Sequence, residues 1–295
     1  MISSSYTFEC ITPCFCAGAD QTKREIRPSS IRGALRWWFR SLGGPSELET
    51  EVFGGMEPIT ASALRVRVSD ENPKPVGRLY QPQGIDPLSY ILYFPSVSSD
   101  KTRWNESACY GAGTTFQIHI KQLRTLSAQA EQMARETILA FRHFGSIGMH
   151  VTRGLGAIQS SDVNEQSWTE AINLLERCGF TIRQSAQRHK IWDGVLKEAG
   201  QWLQNDLRKE FGAGGNRKPP QATALGSAAP RQTSAVYLRP VKQNGELIFT
   251  AFEAPHARVL GSASRQVHSA PILQSRDFTQ APPPAQQQAG RPKYR

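Results

Sequence analysis

The pattern of apolar and polar positions predicts a chain that mixes strands with helices. In the first half, strands are indicated where apolar residues alternate with polar ones or form short runs, and helices where apolar residues recur every three to four positions. The predicted strands cover residues 6–12, 63–68, 90–94, 115–121 and 156–159, and the predicted helices lie between the first two strands and between the last two. This order is that of a ferredoxin-like (RRM-like) unit, so the predicted fold class is α+β.

The second half of the chain shows a weaker pattern. Its predicted elements are helices around residues 168–178 and 188–211 and strands at 235–241 and 246–252. A turn at Asn244-Gly245 separates the two strands and predicts a hairpin. We therefore expect two modules. The predicted boundaries are a ferredoxin-like domain at 1–160, a second helical and β module at 161–265, and a tail at 266–295.

Two segments of the second half are low in complexity. The tail is rich in proline and glutamine and poor in apolar residues, which is typical of an extended or disordered segment. Residues 212–221 are rich in glycine and proline and predict a mobile loop.

The first predicted helix has two different faces. Arg32, Arg36 and Arg40 recur every four residues and form a basic stripe, while Trp37 falls outside the apolar stripe. The apolar stripe consists of Ile31, Leu35, Trp38, Phe39 and Leu42. Ser29 or Ser30 is expected to cap the start of the helix, and Gly43-Gly44 to end it.

The basic stripe and Trp37 can be interpreted in two ways. Trp37 is free to stack on a base beside guanidinium groups, or it packs under a loop while the arginines form an ordinary solvated face. Residues 23–40 contain six basic side chains and one acidic side chain, Glu25. Because like charges this close repel unless an anion joins them, we favour an RNA-facing helix.

The whole chain is basic, with 35 Lys+Arg against 25 Asp+Glu and a formal net charge of +10. An acidic partner is expected, but net charge does not choose between nucleic acid, an anionic membrane and simple solubility. No apolar run approaches the roughly 20 residues that span a bilayer, and the first residues lack the pattern of a signal peptide. We therefore expect a soluble cytoplasmic protein with no membrane partner.

The five cysteines predict free thiols. Their number is odd and no export signal precedes them, so a disulfide framework is not expected. Cys10, Cys14 and Cys16 lie close together, but no Cys-x-x-Cys pair or neighbouring histidine accompanies them. No metal site and no cofactor are predicted.

A second motif, at residues 144–156, is rich in glycine and contains Arg153. Such a loop can bring backbone N–H groups close to a phosphate, and the arginine can add a charge-assisted hydrogen bond. The loop matches neither a P-loop nor a dinucleotide-binding fingerprint. The alternative is a tight connection that needs glycine for its positive φ angles.

Together these motifs resemble the RAMP superfamily of CRISPR systems, and within it the first subunits of type III-B, or Cmr, effectors. The similarity rests on residues 25–40, on Arg153-Gly154-Leu155-Gly156, and on shorter stretches at 53–55, 111–116, 224–226 and 231–234. It extends over residues 1 to about 260 and is strongest at residues 25–40. Because the chain is short for that family, the resemblance implies that the second module is abridged or degenerate.

The resemblance implies a RAMP fold and a non-catalytic RNA-binding subunit of a type III RNA-guided effector in antiviral defence. Such a subunit would bind near the 3′ end of the guide RNA and help to capture target RNA. Its implied partners are guide (CRISPR) RNA, target RNA and other RAMP subunits. Neither a cofactor nor a catalytic residue is implied.

The RNA-binding residues that we predict come from the two motifs. The basic helix contributes Arg27, Arg32, Arg36 and Arg40, to which the helix geometry adds Trp37. The loop contributes Gly145, Gly148, Arg153, Gly154 and Gly156, with Met149 and His150 as further candidates. Met149 stands where members of the family often carry a second basic residue.

Two other functions remain open. Some RAMP relatives are metal-independent endoribonucleases that process CRISPR transcripts with a histidine, and this chain has six histidines, of which only His150 lies in a predicted RNA-binding motif. The chain can also be a plain interaction module whose basic surface matches acidic neighbours. No motif of a serine hydrolase, metal-dependent nuclease or kinase is present.

Overall fold

The computed structural model describes residues 1–76, 87–92, 106–211, 224–228, 231–260 and 272–275. The strands of these residues are β1 (Ser3–Cys10), β2 (Cys14–Phe15), β3 (Gly55–Met56), β4 (Ile59–Thr60), β5 (Leu64–Asn72), β6 (Cys109–Tyr110), β7 (Thr115–Gln122), β8 (Ile158–Ser160), β9 (Thr181–Gln184), β10 (Ser227–Ala228), β11 (Arg231–Gln232), β12 (Val236–Gln243) and β13 (Glu246–Glu253). The helices are α1 (Pro28–Ser41), α2 (Ser46–Phe53), α3 (Pro87–Leu92), α4 (Ala128–Phe144), α5 (Glu165–Arg177), α6 (Trp192–Trp202), α7 (Arg208–Phe211) and α8 (His256–Val259).

The first sheet has the strand order β5-β7-β1-β8, and every pair in it is antiparallel. Helices α1 and α4 pack against each other, and they contact β5 and β8 respectively. Phe8, Leu35, Phe116 and Phe141 are fully buried between the helices and the sheet. The chain order and pairing match the ferredoxin-like arrangement, and the predicted α+β fold class is confirmed.

The ends of α1 differ in part from the prediction. Pro28 is the first helical residue and no side chain caps the helix, so the predicted cap at Ser29 or Ser30 is wrong. Proline replaces the cap because its fixed φ suits the first turn and it has no N–H group to satisfy. Gly43 adopts a φ of 97° just beyond the helix, which confirms the glycine exit.

The second sheet has the order β12-β13-β9 and is also antiparallel. The predicted hairpin is confirmed, since Asn244 and Gly245 connect β12 to β13 with φ angles of 52° and 82°. Helix α6 packs on this sheet and fills a second apolar core. The helical part of 188–211 is shorter than predicted, because it begins only at Trp192. Before it, His189 pairs with Leu247 of β13.

The strand predicted at 90–94 is wrong where the structure describes it. Residues 87–92 form α3, which packs against α6, and Tyr93 and Phe94 lie outside the described residues. A short apolar run does not distinguish a buried strand from a buried helix. Gly200 permits the close contact between the helices, because a Cβ atom there would lie 2.3 Å from the Pro87 carbonyl oxygen.

The two low-complexity segments have different outcomes. Residues 212–221 lie outside the described residues, as does most of the predicted tail at 266–295. Within that tail, however, Ile272 and Leu273 are buried, and their N–H groups donate hydrogen bonds of 3.0 and 2.8 Å to the Glu253 carboxylate. All five cysteines are free thiols, as predicted. A search of the described residues finds no helix with the length and apolarity of a bilayer-spanning segment.

Candidate nucleic-acid interface

Two arginines of the predicted basic stripe are held by a carboxylate of the protein itself. Arg36 Nε lies 2.8 Å from Glu49 Oε1, and Arg40 Nε lies 2.6 Å from Glu49 Oε2. Glu49 belongs to α2 and is only 7% exposed. Burial opposes ionisation of Glu49, but the hydrogen bonds and charges of Arg40 and Arg36 outweigh it and hold its pKa below the usual range. The anion that joins these two arginines is therefore Glu49.

The other two arginines of the motif have different surroundings. Arg32 is exposed and Arg27 is partly buried, and neither side chain makes a hydrogen bond or ion pair with any residue that the structure describes. Gly33, next to Arg32, is exposed in the middle of α1, and a Cβ atom at this position would meet nothing within 4 Å. Packing within the chain therefore gives no reason for a glycine that weakens the helix.

Trp37 does not present a free aromatic face. Its ring centroid lies 5.0 Å from that of Trp38, 4.9 Å from that of Tyr237 and 6.5 Å from that of Phe252. The side chain is partly buried between α1 and the second sheet. The expected free face is therefore wrong, because the pattern along one helix does not reveal which element covers its other side.

The glycine-rich loop connects α4 to β8 and is tied to the end of β1. The Thr12 hydroxyl donates to the Gly154 carbonyl at 2.7 Å, and the Gly156 N–H donates to the Pro13 carbonyl at 2.9 Å. Gly148, Gly154 and Gly156 all have positive φ angles. A Cβ atom at Gly156 would lie 1.9 Å from the Ile147 carbonyl oxygen. The fold itself therefore requires glycine at Gly156, as the alternative interpretation held.

The tip of the loop carries the side chains that reach the surface. Met149 is 50% exposed, and its N–H donates to the Phe15 carbonyl at 3.0 Å. His150 has a φ of 55°; burial, reinforced by the charge of Arg153, lowers its pKa to about 4. Arg153 is partly buried and pairs through its backbone with Leu238 of β12. Within the described ranges, no hydrogen bond or ion pair joins this loop to the arginines of α1.

Arg239 is a residue that the sequence analysis did not select. It is 2% exposed, and its two Nη atoms donate at 3.3 Å to the carbonyls of Gly145, at the start of the loop, and of Val151, in its middle. Burial lowers its pKa to about 10, which leaves it charged at neutral pH. No carboxylate among the described residues pairs with it. The available signal was a charge set among apolar residues in the first part of β12.

Comparison with known proteins supports a family assignment. The family model of the RAMP superfamily matches residues 7–159, which is just over half of the chain. The CRISPR system Cmr subunit Cmr1-2 of Pyrococcus furiosus is 26% identical over 187 residues, which cover 56% of this chain and 98% of that protein. Subunit Cmr1-1 of the same organism is 29% identical over 154 residues, which cover 48% of this chain and 43% of that protein.

Solved structures share the fold. The crystal structure of Cmr1 from Pyrococcus furiosus in its apo form superposes with a TM-score of 0.55 at 17% identity, covering 94% of this chain and 92% of that one. A chain of the type III-B Cmr-beta complex bound to cognate target RNA gives a TM-score of 0.51 at 13% identity, with coverages of 91% and 96%. At these identities the likeness concerns the fold alone. From the family match, the chain belongs to the RAMP superfamily.

Proposed function

We propose that this chain is a non-catalytic RNA-binding subunit of a type III-B CRISPR effector, which serves in antiviral defence. It binds near the 3′ end of the guide RNA and helps to capture target RNA beside other RAMP subunits. The observation that carries the proposal is the sequence similarity over 98% of the Cmr1-2 subunit. The fold shared with a chain of an effector bound to target RNA supports it.

The RNA surface that we propose on α1 is centred on Arg27 and Arg32. These two cations have no partner within the described part of the chain, whereas Arg36 and Arg40 share Glu49. A guanidinium has five N–H donors, and the side chains of Arg36 and Arg40 are 35% and 59% exposed, so both retain donors for phosphate. Glu49 then ties these two arginines to α2 and offsets part of their charge.

Gly33 supports the same surface. Glycine in a helix interior costs about 1 kcal/mol relative to alanine, and no neighbour in the fold requires it here. A close approach of an external backbone does require it, since a Cβ atom would stand between the helix and the ligand.

The glycine-rich loop contributes a second set of contacts. Arg153 and the adjoining backbone can hold a phosphate, while Gly148, Gly154 and Gly156 give the loop its shape. Arg239 supports this role because its charge is buried beneath the loop without a neighbouring carboxylate and so favours an anion above it. Met149 and His150 lie at the tip, where they would flank the RNA.

The histidines give no support to the endoribonuclease alternative. Burial lowers the pKa of His143 and of His150 to about 4 in each case, whereas general acid–base catalysis needs a pKa near the working pH. His119 bonds to two serine hydroxyls, while His189 and His256 bond to glutamates. His268 lies outside the described residues.

A salt series tests the proposal directly. The purified protein is titrated with labelled single-stranded RNA at several salt concentrations, and the RNA is recovered and run on a denaturing gel. We expect intact RNA and a log-linear loss of affinity with salt, with a slope of about 0.7 per phosphate contact. Cleaved RNA without added metal would favour the histidine enzyme, and the absence of binding would contradict the proposal.

The variant Gly33→Ala should change the stability of α1 and the affinity for RNA in opposite directions. We expect it to stabilise α1 by about 0.5–1 kcal/mol and yet to weaken RNA binding several-fold. Thermal unfolding and the same titration measure the two effects. An unchanged affinity would remove α1 from the RNA surface.

A further inference from the structure

The first sheet has one face that its helices do not cover. Because side chains alternate along a strand, every second residue of β1, β5 and β7 points away from α1 and α4. We call this surface the open face. Apart from Glu9 and Thr115 at its far end, its members are Ser3, Ser5, Thr7, Arg65, Arg67, Ser69, Gln117, His119 and Lys121.

Three cations stand together on the open face. The strand register pairs Arg65 with Lys121, and Arg67 lies two residues further along β5, about 7 Å away at the usual rise of a strand. All three side chains are exposed. None of them forms a hydrogen bond or an ion pair with any part of the chain that the structure describes. Unlike Arg36 and Arg40, which share Glu49, these three cations have no carboxylate partner among the described residues.

The nearest carboxylates on this face are already engaged. Glu9, at the far end of β1, is bound by Lys242 Nζ at 2.9 and 3.0 Å. Asp70, just beyond Ser69, accepts a hydrogen bond of 2.9 Å from the Ser69 hydroxyl. The Ser69 hydroxyl does not neutralise Asp70, so one negative charge stands beside three positive charges and the local potential of the face is positive.

A row of hydrogen bonds crosses the open face beside the cations. The two ring nitrogens of His119 each lie 2.7 Å from a serine hydroxyl, Nδ1 from Ser5 and Nε2 from Ser69. Since the Ser69 proton goes to Asp70, Nε2–H donates to Ser69 and Nδ1 accepts from Ser5. This row holds polar groups at fixed positions across three strands.

The composition of the open face favours a polyanion over a protein partner. The core of a protein–protein interface is depleted in charged residues and enriched in aromatic ones, whereas all nine side chains here are polar. RNA-recognition modules that read bases on a sheet stack them on aromatic side chains. Among these nine positions only His119 carries a ring, and both of its nitrogens are held by serine hydroxyls. Contacts to a sugar–phosphate backbone need cations and hydroxyl groups, which are present.

We propose that the open face binds the phosphate backbone of single-stranded RNA without sequence preference, as a second surface distinct from α1 and the glycine-rich loop. The inference deepens the proposed RNA-binding function by adding Arg65, Arg67 and Lys121 to it. Arg65 and Arg67 contact successive phosphates along β5, and Lys121 contacts the strand from β7.

The test compares two triple variants of the full chain. Arg65→Gln, Arg67→Gln and Lys121→Gln remove the cations of the open face, and Lys190→Gln, Lys197→Gln and Lys209→Gln remove three exposed cations from the second module. Both variants change the net charge equally, and neither set has a partner among the described residues. Thermal unfolding checks that both proteins fold.

We expect the open-face variant to lower the salt slope of single-stranded RNA binding by about 2, from three contacts at roughly 0.7 each, and the affinity at 0.1 M salt at least tenfold. The control should change neither by more than a small fraction of this. Equal behaviour of the two variants would overturn the inference while leaving the proposed function in place. If the unaltered protein does not bind RNA, the proposed function fails as well.

Chemical footprinting gives an independent readout. Bound RNA should slow acetylation of Lys121 and leave that of Lys197 unchanged. If RNA protects neither lysine, while the open-face variant loses binding to an acidic partner subunit instead, the surface is a protein interface and the inference is wrong.

Discussion

The arginines of α1, four residues apart, and those of β5, two residues apart, each fall on one face of their element, but the structure gives them different surroundings. Arg36 and Arg40 converge on the buried carboxylate of Glu49, whereas Arg65 and Arg67 project from the open face without an acidic partner in the described residues. The first pair orders two helices, and the second pair contributes free charge. A basic stripe therefore predicts an anion but does not tell whether that anion belongs to the protein.

Arg239 extends this comparison to full burial. It is almost completely shielded from solvent and satisfies its charge with two backbone carbonyls of the glycine-rich loop. Arginine therefore has three roles in this protein, which are to shape a loop, to join two helices and to present charge to solvent. Substitutions should distinguish these roles by how much each one lowers the free energy of unfolding.

Arg239→Ala should have the largest effect. The change leaves a cavity and removes the donors to the Gly145 and Val151 carbonyls, which should lower the free energy of unfolding by about 3 kcal/mol. Urea denaturation measures it. Arg65→Ala, the matched exposed arginine, should stay within about 0.5 kcal/mol of the unaltered protein. An equal loss of unfolding free energy in the two variants would mean that the buried arginine contributes no more to stability than the open-face arginine.

Glu49→Ala should come next. It leaves Arg36 and Arg40 facing each other without a counter-ion, and because both are partly exposed we expect a loss of about 2 kcal/mol rather than the larger cost of a fully buried pair. Glu47→Ala, on the exposed side of the same helix, is the control. The folded variant should bind RNA at least as well as the unaltered protein, since α1 then carries more positive charge; weaker binding would mean that Glu49 is needed to orient the arginines.

The buried histidine of α4, His143, should make the stability of the protein depend on pH. Burial lowers the pKa of His143 to about 4, while an unfolded histidine titrates near 6.5. Between these values the unfolded state binds the proton and the folded state does not, so stability falls as the pH falls. His143 should contribute a loss of about 2 kcal/mol between pH 6.5 and 5. His143→Leu should reduce this loss; an unchanged pH profile would assign the acid sensitivity elsewhere.

Arg32→Gln should have the smallest effect on stability, within about 0.5 kcal/mol, because the side chain is exposed and has no partner in the described chain. RNA binding should still weaken, and the salt slope should fall by about 0.7 for the one lost phosphate contact. Parallel RNA titrations of Arg36→Gln show which of the two arginines contributes more to RNA binding. A larger binding loss at Arg36 would indicate that pairing with Glu49 prepares the arginine for RNA.

Local pattern predicted most of the first sheet, since β1, β5, β7 and β8 all overlap predicted strands and α4 lies between β7 and β8, where the second helix was predicted. The errors have local causes. The run at 90–94 is too short to show a period, and the start of α1 depends on Pro28 rather than on a serine cap. For the candidate site, the sequence identified both motifs but neither Glu49 nor Arg239, because each meets its partners across a different element.

By itself the sequence determined the strands of the first sheet and the two helices packed on it, the glycines of the loop and the basic residues of α1, because periodicity and backbone freedom are local properties. Only the tertiary structure decided which cations are free, since that depends on groups brought together from distant positions. It paired Arg36 and Arg40 with Glu49 and buried Arg239 under the loop. It also left Arg65, Arg67 and Lys121 exposed on one face of the first sheet, where the register of β5 and β7 brings the three cations together.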